Sequence, residues 1–546
     1  MSQDQLEGNI VDIIGRKIQP GKIFLEGKRI HHIDTRDQPY DRYIIPGFVD
    51  AHVHVESSMV TPVEFSRTAV RHGTVAAISD PHEIANVLGE EGVKFMLENG
   101  KQTPFKFLFG APSCVPATPF ETAGAVLDAE AIERLLKLDG VGFLAEMMNF
   151  PGVINQDMGI MNKIRVAKSK NKPIDGHAPG LRGEGLRKYV EAGISTDHEC
   201  TDIDEALEKI KMGMQILIRE GSAAKNFSEL IPLMKMYPGR LMFCTDDIHP
   251  DELAESHINQ LVKRSILLGY DLFDVLRAAS LNAVKHYGLD MGLLQVQDPA
   301  DFIVVNNLEE FRVLATYIDG VQVYSDGNVK IPSVPTEEKN SFSERTITQA
   351  EFRVVRESDR MHVIQAKDGT LVTGKKLITI SVEGSEAHAD VEKDLLKISV
   401  INRYDPSVKP SVGFITGFGI KQGAIASSIA HDSHHVICVG VSDMHMAETM
   451  QWIFSHRGGI AIHDGSNVHG LPLPIAGLMT ADPVEKTGNQ YLKLSRIAKM
   501  LGSSLHAPFM TLSFMALLVI PALKISDRGL FDTDSFSFTP LFERSL

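Results

Sequence analysis

Short apolar runs alternate with amphipathic helical patterns through most of the middle of the chain. The run TVAAISD is followed by EEGVKFMLENG, FKFLFGA by DAEAIERLLKL, and VGFLAEM by MNKIRVAKSK. Further along, ISTDHE precedes DIDEALEKIKMG and LMFCTDD precedes INQLVKRSILLG. Regular alternation of strands and helices is typical of parallel strands joined by helical crossovers. About seven or eight such units fit between residues 47 and 290, and they predict an α/β fold with a (β/α)8 TIM-like barrel.

Both flanks of this region are rich in short strands instead. NIVDIIG, KIFLEG and RIHHID lie before it, whereas DFIVV and ATYIDGVQVY lie after it. Turn residues separate these strands, which predicts a small β-sandwich domain built from residues 1–46 plus 291–335. The polar stretch 335–350 predicts a linker, and residues 350–546, with strands such as LLKISVIN, predict an additional C-terminal α/β domain.

The composition limits the partners that we expect. The chain has 55 Lys and Arg against 70 Asp and Glu, a formal net charge of −15, which disfavours a polyanion such as nucleic acid. Four widely spaced cysteines form no CxxC pair, and the N-terminus lacks the pattern of a secretion signal. The most apolar stretch, residues 507–525, is interrupted by polar residues and by Pro521, so it does not predict a membrane span. We expect a cytoplasmic protein without a membrane or nucleic-acid partner.

The sharpest chemical signal is PGFVDAHVHVE at residues 46–56. Successive side chains of a strand point to opposite faces. The strict alternation places small apolar residues on one face and polar residues on the other, the polar set being Asp50, His52, His54 and Glu56. Two imidazoles at positions i and i+2 lie side by side, close enough to bind one cation. A solvated strand face with chance histidines is the alternative, but the preceding apolar run IIPGFVDA indicates burial.

Further candidate ligands stand at the ends of later predicted strands. Glu146 ends GFLAE, His177 follows PIDG, His198 ends ISTDH and Asp246 ends LMFCTD. Barrel enzymes place their catalytic groups at the carboxyl ends of strands. One such residue alone is more often an ordinary polar loop residue, but their recurrence on successive strands predicts a shared metal site. Mixed imidazole and carboxylate ligands suit manganese, iron or zinc.

The ordered set of motifs resembles the bacterial adenine deaminase family of the amidohydrolase superfamily. The motifs span residues 46–524 and are PGFVDAHVHVESSM, SDPHEIANVLG, LAEMMNFPGVI, DGHAPGL, STDHECT, FCTDDIHPDEL, GFGIKQGAIASSIAHDSHH and PFMTLSFMALLVIPALK. The resemblance implies hydrolytic deamination of adenine to hypoxanthine and ammonia. It also implies two divalent metal ions, manganese or iron, with zinc as a further option. The ligands that it implies are His52, His54 and Asp246 for one metal, His177 and His198 for the other, and Glu146 for both.

The proton transfers of such a reaction are assigned only in part. We expect Asp246 to take a proton from the attacking hydroxide and to pass it toward the leaving amine. The ring nitrogen next to C6 also needs a proton, and the sequence does not rank its four candidate donors: His82, Glu83, Glu56 and Asp247. The expected catalytic residues are therefore Asp246, Glu146, Glu56 and His82.

Two other functions fit the same fold. Relatives of this fold attack other purines, cyclic amides and acetylated amino sugars, so a different substrate is the main alternative. A non-catalytic scaffold is the second, but every required ligand position holds a competent residue. Enzymes of this class are commonly dimeric, so we expect a homodimer.

A cluster of histidines in the third region has two interpretations. His431, His434 and His435 lie within AHDSHH, just before the strand VICVGV. The cluster is either a polar turn or a loop that closes over the barrel mouth, contacts the purine or holds an extra metal. The family usually has Asn where His435 stands, so the resemblance does not assign this residue.

Overall fold

The computed structural model describes residues 5–222, 224–380 and 384–543. The chain divides into two compact units, each discontinuous in sequence. The first comprises Met1–His82, Val93–Cys114 and Leu127–Thr336, and the second comprises Glu83–Gly92, Val115–Val126 and Glu337–Leu546. Two short segments from the region predicted as barrel therefore have most of their contacts in the second unit.

The first unit contains alternating strands and helices. Its strands are β1 (Gln5–Asp12), β2 (Lys17–Glu26), β3 (Arg29–Thr35), β4 (Tyr43–Pro46), β5 (Phe48–Val53), β6 (Thr74–Ser79), β7 (Lys106–Ala111), β8 (Val141–Met147), β9 (Ile174–Gly176), β10 (Thr196–Asp197), β11 (Gln215–Arg219), β12 (Leu241–Cys244), β13 (Phe302–Val305), β14 (Val313–Ile318), β15 (Val321–Ser325) and β16 (Asn328–Val329).

The helices up to residue 287 follow the same order along the chain. They are α1 (Pro62–Ala69), α2 (His82–Leu88), α3 (Glu90–Gly100), α4 (Ala129–Leu135), α5 (Phe150–Ile154), α6 (Met158–Ser169), α7 (Gly183–Glu191), α8 (Ile203–Lys211), α9 (Phe227–Leu230), α10 (Pro250–Glu255), α11 (Ile258–Leu267), α12 (Leu272–Leu276) and α13 (Asn282–Tyr287). Short 3-10 helices lie at Val55–Ser58, Val70–His72, Ile231–Lys235 and Pro238–Arg240, and a π-helical turn at Arg277–Leu281.

The two β-rich flanks form one sheet. Its eight strands run in the order β16-β15-β14-β13-β4-β1-β2-β3. Strand β4 pairs in parallel with β1 and antiparallel with β13, so it joins the N-terminal flank to the later one. The two flanks that the sequence predicts to form one small β domain therefore share one hydrogen-bonded ladder, joined through β4.

The alternating region forms a curled parallel sheet. Strands β5 to β9 make a five-stranded parallel sheet, and β10 to β12 make a three-stranded one. The Ser195 amide, just before β10, donates to the Ile174 carbonyl in β9 (2.9 Å). At the other edge, the Asp246 amide donates to the His52 carbonyl (2.9 Å), and the His54 amide donates to the Asp246 carbonyl (3.1 Å). Asp246, two residues after β12, is therefore hydrogen-bonded to His52 in β5 and to His54 just after it.

The strands of this sheet are buried on both faces. All seven residues of β8, VGFLAEM, are buried, as are all six of β5 and of β6. Parallel strands covered by helices on one face and by other strand side chains on the other carry near-continuous apolar runs. Charged residues within such strands are therefore costly unless they are paired or bind ions.

The second unit is built on a mainly antiparallel sheet. Its strands are β17 (Arg360–Gln365), β18 (Gly374–Thr379), β19 (Leu396–Ile401), β20 (Ser411–Thr416), β21 (Ala424–Ser427), β22 (Val436–Gly440), β23 (Gly459–His463), β24 (Val468–Pro472), β25 (Leu523–Ser526), β26 (Gly529–Asp532) and β27 (Ser537–Phe538). The first eight form a sheet in the order β18-β17-β20-β19-β22-β21-β23-β24, in which only β17 and β20 pair in parallel. The unit contains both helices and strands, as predicted for an α/β domain. Its strands pair mainly antiparallel, whereas strands in α/β domains are usually parallel.

Three α helices complete the described part of residues 337–543. They are α14 (Asp443–Ser455), α15 (Val484–Met500) and α16 (Pro508–Ser513), with 3-10 helices at Gln349–Phe352, Val391–Lys393 and Phe514–Ala516. Helix α14 packs on β21, β22 and β23 through buried Met446, Met450 and Ile453. Among the residues that the structure describes, no helix has the length and apolar character needed to span a membrane. The apolar stretch 507–525 is divided among a short helix, a 3-10 turn and strand β25.

Candidate metal centre

Two histidines mark the carboxyl end of β5. His52 is inside the strand and His54 directly follows it, and both side chains are buried. The predicted strand continues to Glu56, but β5 ends at Val53 and the chain turns into the 3-10 helix Val55–Ser58. The turn occurs because the Ser57 amide hydrogen-bonds to the His54 carbonyl (3.0 Å). Glu56 is buried within this turn and is not on the strand face that carries His52.

Asp246 lies against both of these imidazoles. Its Oδ1 is 3.1 Å from Nε2 of His54 and 3.4 Å from Nε2 of His52. Its φ of 57° falls in the left-handed region, which residues other than glycine rarely adopt. The two backbone hydrogen bonds to β5 hold Asp246 in this conformation, which costs about 1–3 kcal/mol.

Glu146, in β8, lies among the histidines. Its Oε2 is 3.1 Å from Nδ1 of His177 and 3.1 Å from Nε2 of His198. Its two oxygens are also 3.7 Å from Nε2 of His54 and 3.8 Å from Nε2 of His52. A carboxylate in contact with imidazoles on both sides has the arrangement needed to bridge two cations.

The six expected ligands therefore converge in one buried place. Five are at most 5% exposed, and the side chain of His177 is 19% exposed. Nitrogen and oxygen atoms of His52, His54 and Asp246, and of His52, Glu146 and His198, lie within 4.8 Å of one another. Nε2 of His52 is buried and makes no hydrogen bond with any residue that the structure describes. A buried imidazole nitrogen that faces two carboxylates in this way fits a divalent cation.

The electrostatics of the cluster also suit a cation. Burial would raise the pKa of Glu146, but the imidazoles of His177 and His198 hold it well below its ordinary value. Burial would lower the pKa of His177, yet the charges on Glu199 and Glu146 raise it to about 9. Without a metal ion the His177 ring therefore favours its protonated form, and a metal ion that binds to it must displace that proton.

Arg219, which the sequence motifs do not single out, lies beside Asp246. Its Nη1 donates to Oδ2 of Asp246 (2.5 Å), and the same guanidinium pairs with Glu199. Burial would raise the pKa of Asp246, but Arg219 and the imidazoles of His52 and His54 hold it well below its ordinary value. Its place in the sequence could have indicated it, because Arg219 is the last residue of β11 and strand ends carry the other residues of the cluster.

Two further carboxylates lie at the cluster, Asp80 and Glu199, and the sequence-based ligand prediction did not include them. Asp80 directly follows β6, and its Oδ2 is 3.2 Å from Nδ1 of His82. The same nitrogen of His82 is 3.3 Å from Oε1 of Glu146, which brings this expected catalytic residue into the cluster. Glu199 directly follows His198, and its Oε1 is 3.4 Å from Nε2 of that histidine. Both carboxylates are strand-end residues, and a search restricted to histidine motifs misses them.

The other expected proton donors lie in different surroundings. Oδ1 of Asp247 accepts a hydrogen bond from the Ser57 hydroxyl (2.6 Å). Glu83 belongs to the second unit, where its Oε1 is 2.7 Å from Nδ1 of His431 and its Oε2 pairs with Nε2 of His434.

The histidine cluster of the second unit lies at a turn, and its side chains are buried. The His431 ring stacks on Phe514, with ring centroids 4.5 Å apart. Nδ1 of His435 accepts a hydrogen bond from the Arg403 amide (3.3 Å), and its Nε2 is 3.5 Å from Oδ1 of Asp527. His435 therefore has a hydrogen bond at Nδ1 and a carboxylate near Nε2.

Comparisons with known proteins identify the family. The amidohydrolase family model matches residues 43–323, and the model of the adenine deaminase C-terminal domain matches residues 370–537. The adenine deaminase of Salinibacter ruber is 51% identical over 539 residues, which is 98% of this chain and 98% of that protein. Adenine deaminases of Sulfurovum sp. and Methanosarcina mazei are 53% and 50% identical, each over 98% of this chain and 99% of their own length. The chain therefore belongs to the adenine deaminase family of the amidohydrolases.

Proposed function

We propose that the protein hydrolyses adenine at C6, so that water replaces the amino group and hypoxanthine and ammonia leave. The observation that carries the proposal is the convergence of the six expected ligands in one buried cluster, in a chain similar along its whole length to proteins named adenine deaminase. The sequence similarity supports membership of the family. The cluster adds residues suited to bind the metal ions that the proposed hydrolysis needs.

The centre is proposed to hold two divalent cations, manganese or iron. The ligand set proposed for the first is His52, His54 and Asp246, that for the second is His177 and His198, and Glu146 serves both. The distances of 3.1–3.8 Å between these imidazoles and carboxylates support the sharing. Cations bound there would lower the pKa of a water molecule to roughly 7 and so supply hydroxide at neutral pH.

Asp246 is proposed to carry the proton of the attacking hydroxide to the leaving amine. Arg219 occupies Oδ2 of Asp246, so Oδ1 is the oxygen that faces His52 and His54. Arg219 and the imidazoles keep the carboxyl ionised, and an ionised carboxylate oxygen can accept a proton.

His82 is proposed to hold the proton destined for ring nitrogen N1. The contact of its Nδ1 with Oδ2 of Asp80 and Oε1 of Glu146 orients the imidazole, as a carboxylate orients the base in other acid–base pairs. Glu56 is the second candidate, because it is buried one turn beyond His54.

We further propose that the eight parallel strands close into a (β/α)8 barrel over residues 47–290. The hydrogen bonds of Asp246 with β5 support closure. In the same proposal, residues 1–46 plus 291–335 form the small β domain and residues 350–546 form the C-terminal domain. A homodimer would have twice the 60.1 kDa mass of the chain in light scattering.

The decisive experiment measures ammonia release from adenine after reconstitution of the metal-free protein with manganese or iron. We expect turnover with adenine, and much less with guanine, adenosine and cyclic amides. His198→Asn protein purified in the same way controls for contaminating deaminases. Turnover of a cyclic amide or of guanine in preference to adenine would overturn the substrate assignment.

A further inference from the structure

A fully buried lysine lies behind the two histidines proposed for the second metal. Lys209, on α8, is 0% exposed. Its ammonium donates to Oε1 of Glu205 (2.6 Å), to the Ala178 carbonyl (2.7 Å) and to Oδ2 of Asp197 (2.9 Å). All three hydrogens of the ammonium group are therefore used, and both carboxylate partners are also buried.

Its partners are the chain neighbours of His177 and His198. Asp197 directly precedes His198, and Ala178 directly follows His177. Oδ1 of Asp197 also accepts a hydrogen bond from the Ala178 amide (2.9 Å). Both backbone groups of Ala178 are therefore bound to this network, one by the carboxylate and one by the ammonium.

Glu205 extends the same connection. Its Oε1 accepts a hydrogen bond from the Gly180 amide (2.9 Å) as well as the one from Lys209. The loop after β9 is thus attached at two residues to α8, the helix that follows β10. Three segments are joined by charge-assisted hydrogen bonds, which are shorter and more directional than neutral ones.

Burial of one ammonium and two carboxylates is a costly way to fill a protein core. Apolar side chains of similar volume often give equal or greater stability. In some proteins such groups are retained because they fix one geometry. Here the network holds the loop after β9, which carries His177, against the end of β10, which leads into His198.

We propose that Lys209, Asp197 and Glu205 are positioning residues that hold His177 and His198 in place for the second metal ion. The inference rests on the proposed metal centre and extends it to residues that touch neither metal nor substrate. Groups that orient metal ligands typically change metal affinity by about 10–100-fold when they are removed.

The test compares Lys209→Met with a matched variant, Lys397→Met, in the full-length protein stripped of metal. Lys397 is likewise buried and donates to one carbonyl, of Phe352 (2.9 Å), and one carboxylate, of Asp443 (2.6 Å), but it belongs to the second unit. The protein is titrated with Mn²⁺, and binding is measured by calorimetry and by electron paramagnetic resonance. The two measurements give the Mn²⁺ affinity of each site. Asp197→Asn serves as a second variant in case Lys209→Met does not fold.

We expect wild type and Lys397→Met each to bind two Mn²⁺ ions. The affinity at each site should be the same in the two proteins. Lys209→Met and Asp197→Asn should bind the second ion about 10–100-fold more weakly, and excess Mn²⁺ should restore their kcat. Wild-type affinity at both sites in these two variants would overturn the inference, as would an equal loss in Lys397→Met. A wild-type protein that binds no Mn²⁺ would overturn the proposed centre itself, and the inference with it.

Discussion

At the scale of single residues, the two oxygens of Asp246 have different partners. Oδ2 is held by Arg219, whereas Oδ1 faces the imidazoles of His52 and His54. The guanidinium therefore fixes which oxygen faces the two imidazoles and helps to keep the carboxyl ionised. Oδ2 therefore holds the side chain in place through Arg219, and Oδ1 is left for the proposed proton transfer.

Asp246→Asn replaces the carboxylate, the proposed proton acceptor, with a neutral amide and keeps the shape of the side chain. Because general acid–base transfer contributes about 10²–10⁴-fold to a rate, we expect kcat for adenine to fall by that range. Melting temperature and manganese content, measured in parallel, control for the fold and for metal loss. A kcat near that of wild type would show that Asp246 does not transfer the proton.

Glu121 makes the stability of the second unit depend on pH. Burial and the charge on Asp432 raise the pKa of Glu121 from an ordinary 4.5 to about 8. Between these values the unfolded chain ionises this group while the folded protein keeps it protonated. Stability is therefore lost as the pH rises from about 4.5 to about 8.

Glu121→Gln should remove this dependence, because its amide stays neutral. We expect the variant to gain at least about 1.4 kcal/mol over wild type between pH 5 and pH 8. Urea denaturation at the two pH values measures the gain, and Glu344→Gln, at an exposed position, is the control. An equal difference from wild type at both pH values would contradict the expectation.

At the scale of elements, the site depends on the close approach of neighbouring strands at their carboxyl ends. Strands β9 and β10 are only three and two residues long, and each leads directly into a histidine of the proposed second metal site. A Cβ at Gly176, the last residue of β9, would lie 2.3 Å from the Thr196 carbonyl oxygen. No side-chain rotation relieves a contact with backbone, so the strands would have to separate.

Gly176→Ala should therefore lower the stability of the protein and weaken the second metal site. Overpacking of this kind costs about 1–3 kcal/mol. Differential scanning calorimetry and Mn²⁺ titration measure the two effects, and Gly239→Ala, where a Cβ meets nothing within 4 Å, is the control. Unchanged melting and metal binding in Gly176→Ala would mean that the strands tolerate the extra atom.

At the scale of the whole molecule, a bound metal pair would connect strand ends that are far apart along the chain. The expected ligands extend from His52 to Asp246 and come from the ends of β5, β8, β9, β10 and β12. A ligand that binds the folded state alone stabilises it, by about 4 kcal/mol at a thousandfold excess over Kd. Metal binding is therefore expected to be a main contributor to the stability of the first unit.

Chelation of the metals should lower the melting temperature and abolish adenine turnover together. We expect a decrease on the order of 10 °C, reversed by Mn²⁺ or Fe²⁺. Differential scanning fluorimetry with and without chelator measures it, and the double variant His177→Asn/His198→Asn should show a smaller change. If chelator left the wild-type melting curve unaltered, the centre would not hold metal in the folded protein.

The local pattern of the sequence was sufficient for the strand–helix alternation and for the strand-end positions of His52, Glu146, His198 and Asp246. Alternation of period two and apolar runs before loops are properties of neighbouring residues, so they can be interpreted without knowledge of the fold. The motif order likewise sufficed to identify the family, which the comparisons confirmed.

Only the tertiary structure decided which charged residues meet. Arg219 pairs with an aspartate 27 residues away, and Glu83 with a histidine 351 residues away, so no local pattern could reveal either pair. Partners that are distant along the chain are selected by how the chain packs, and that selection is the physical reason why the sequence pattern alone left them open.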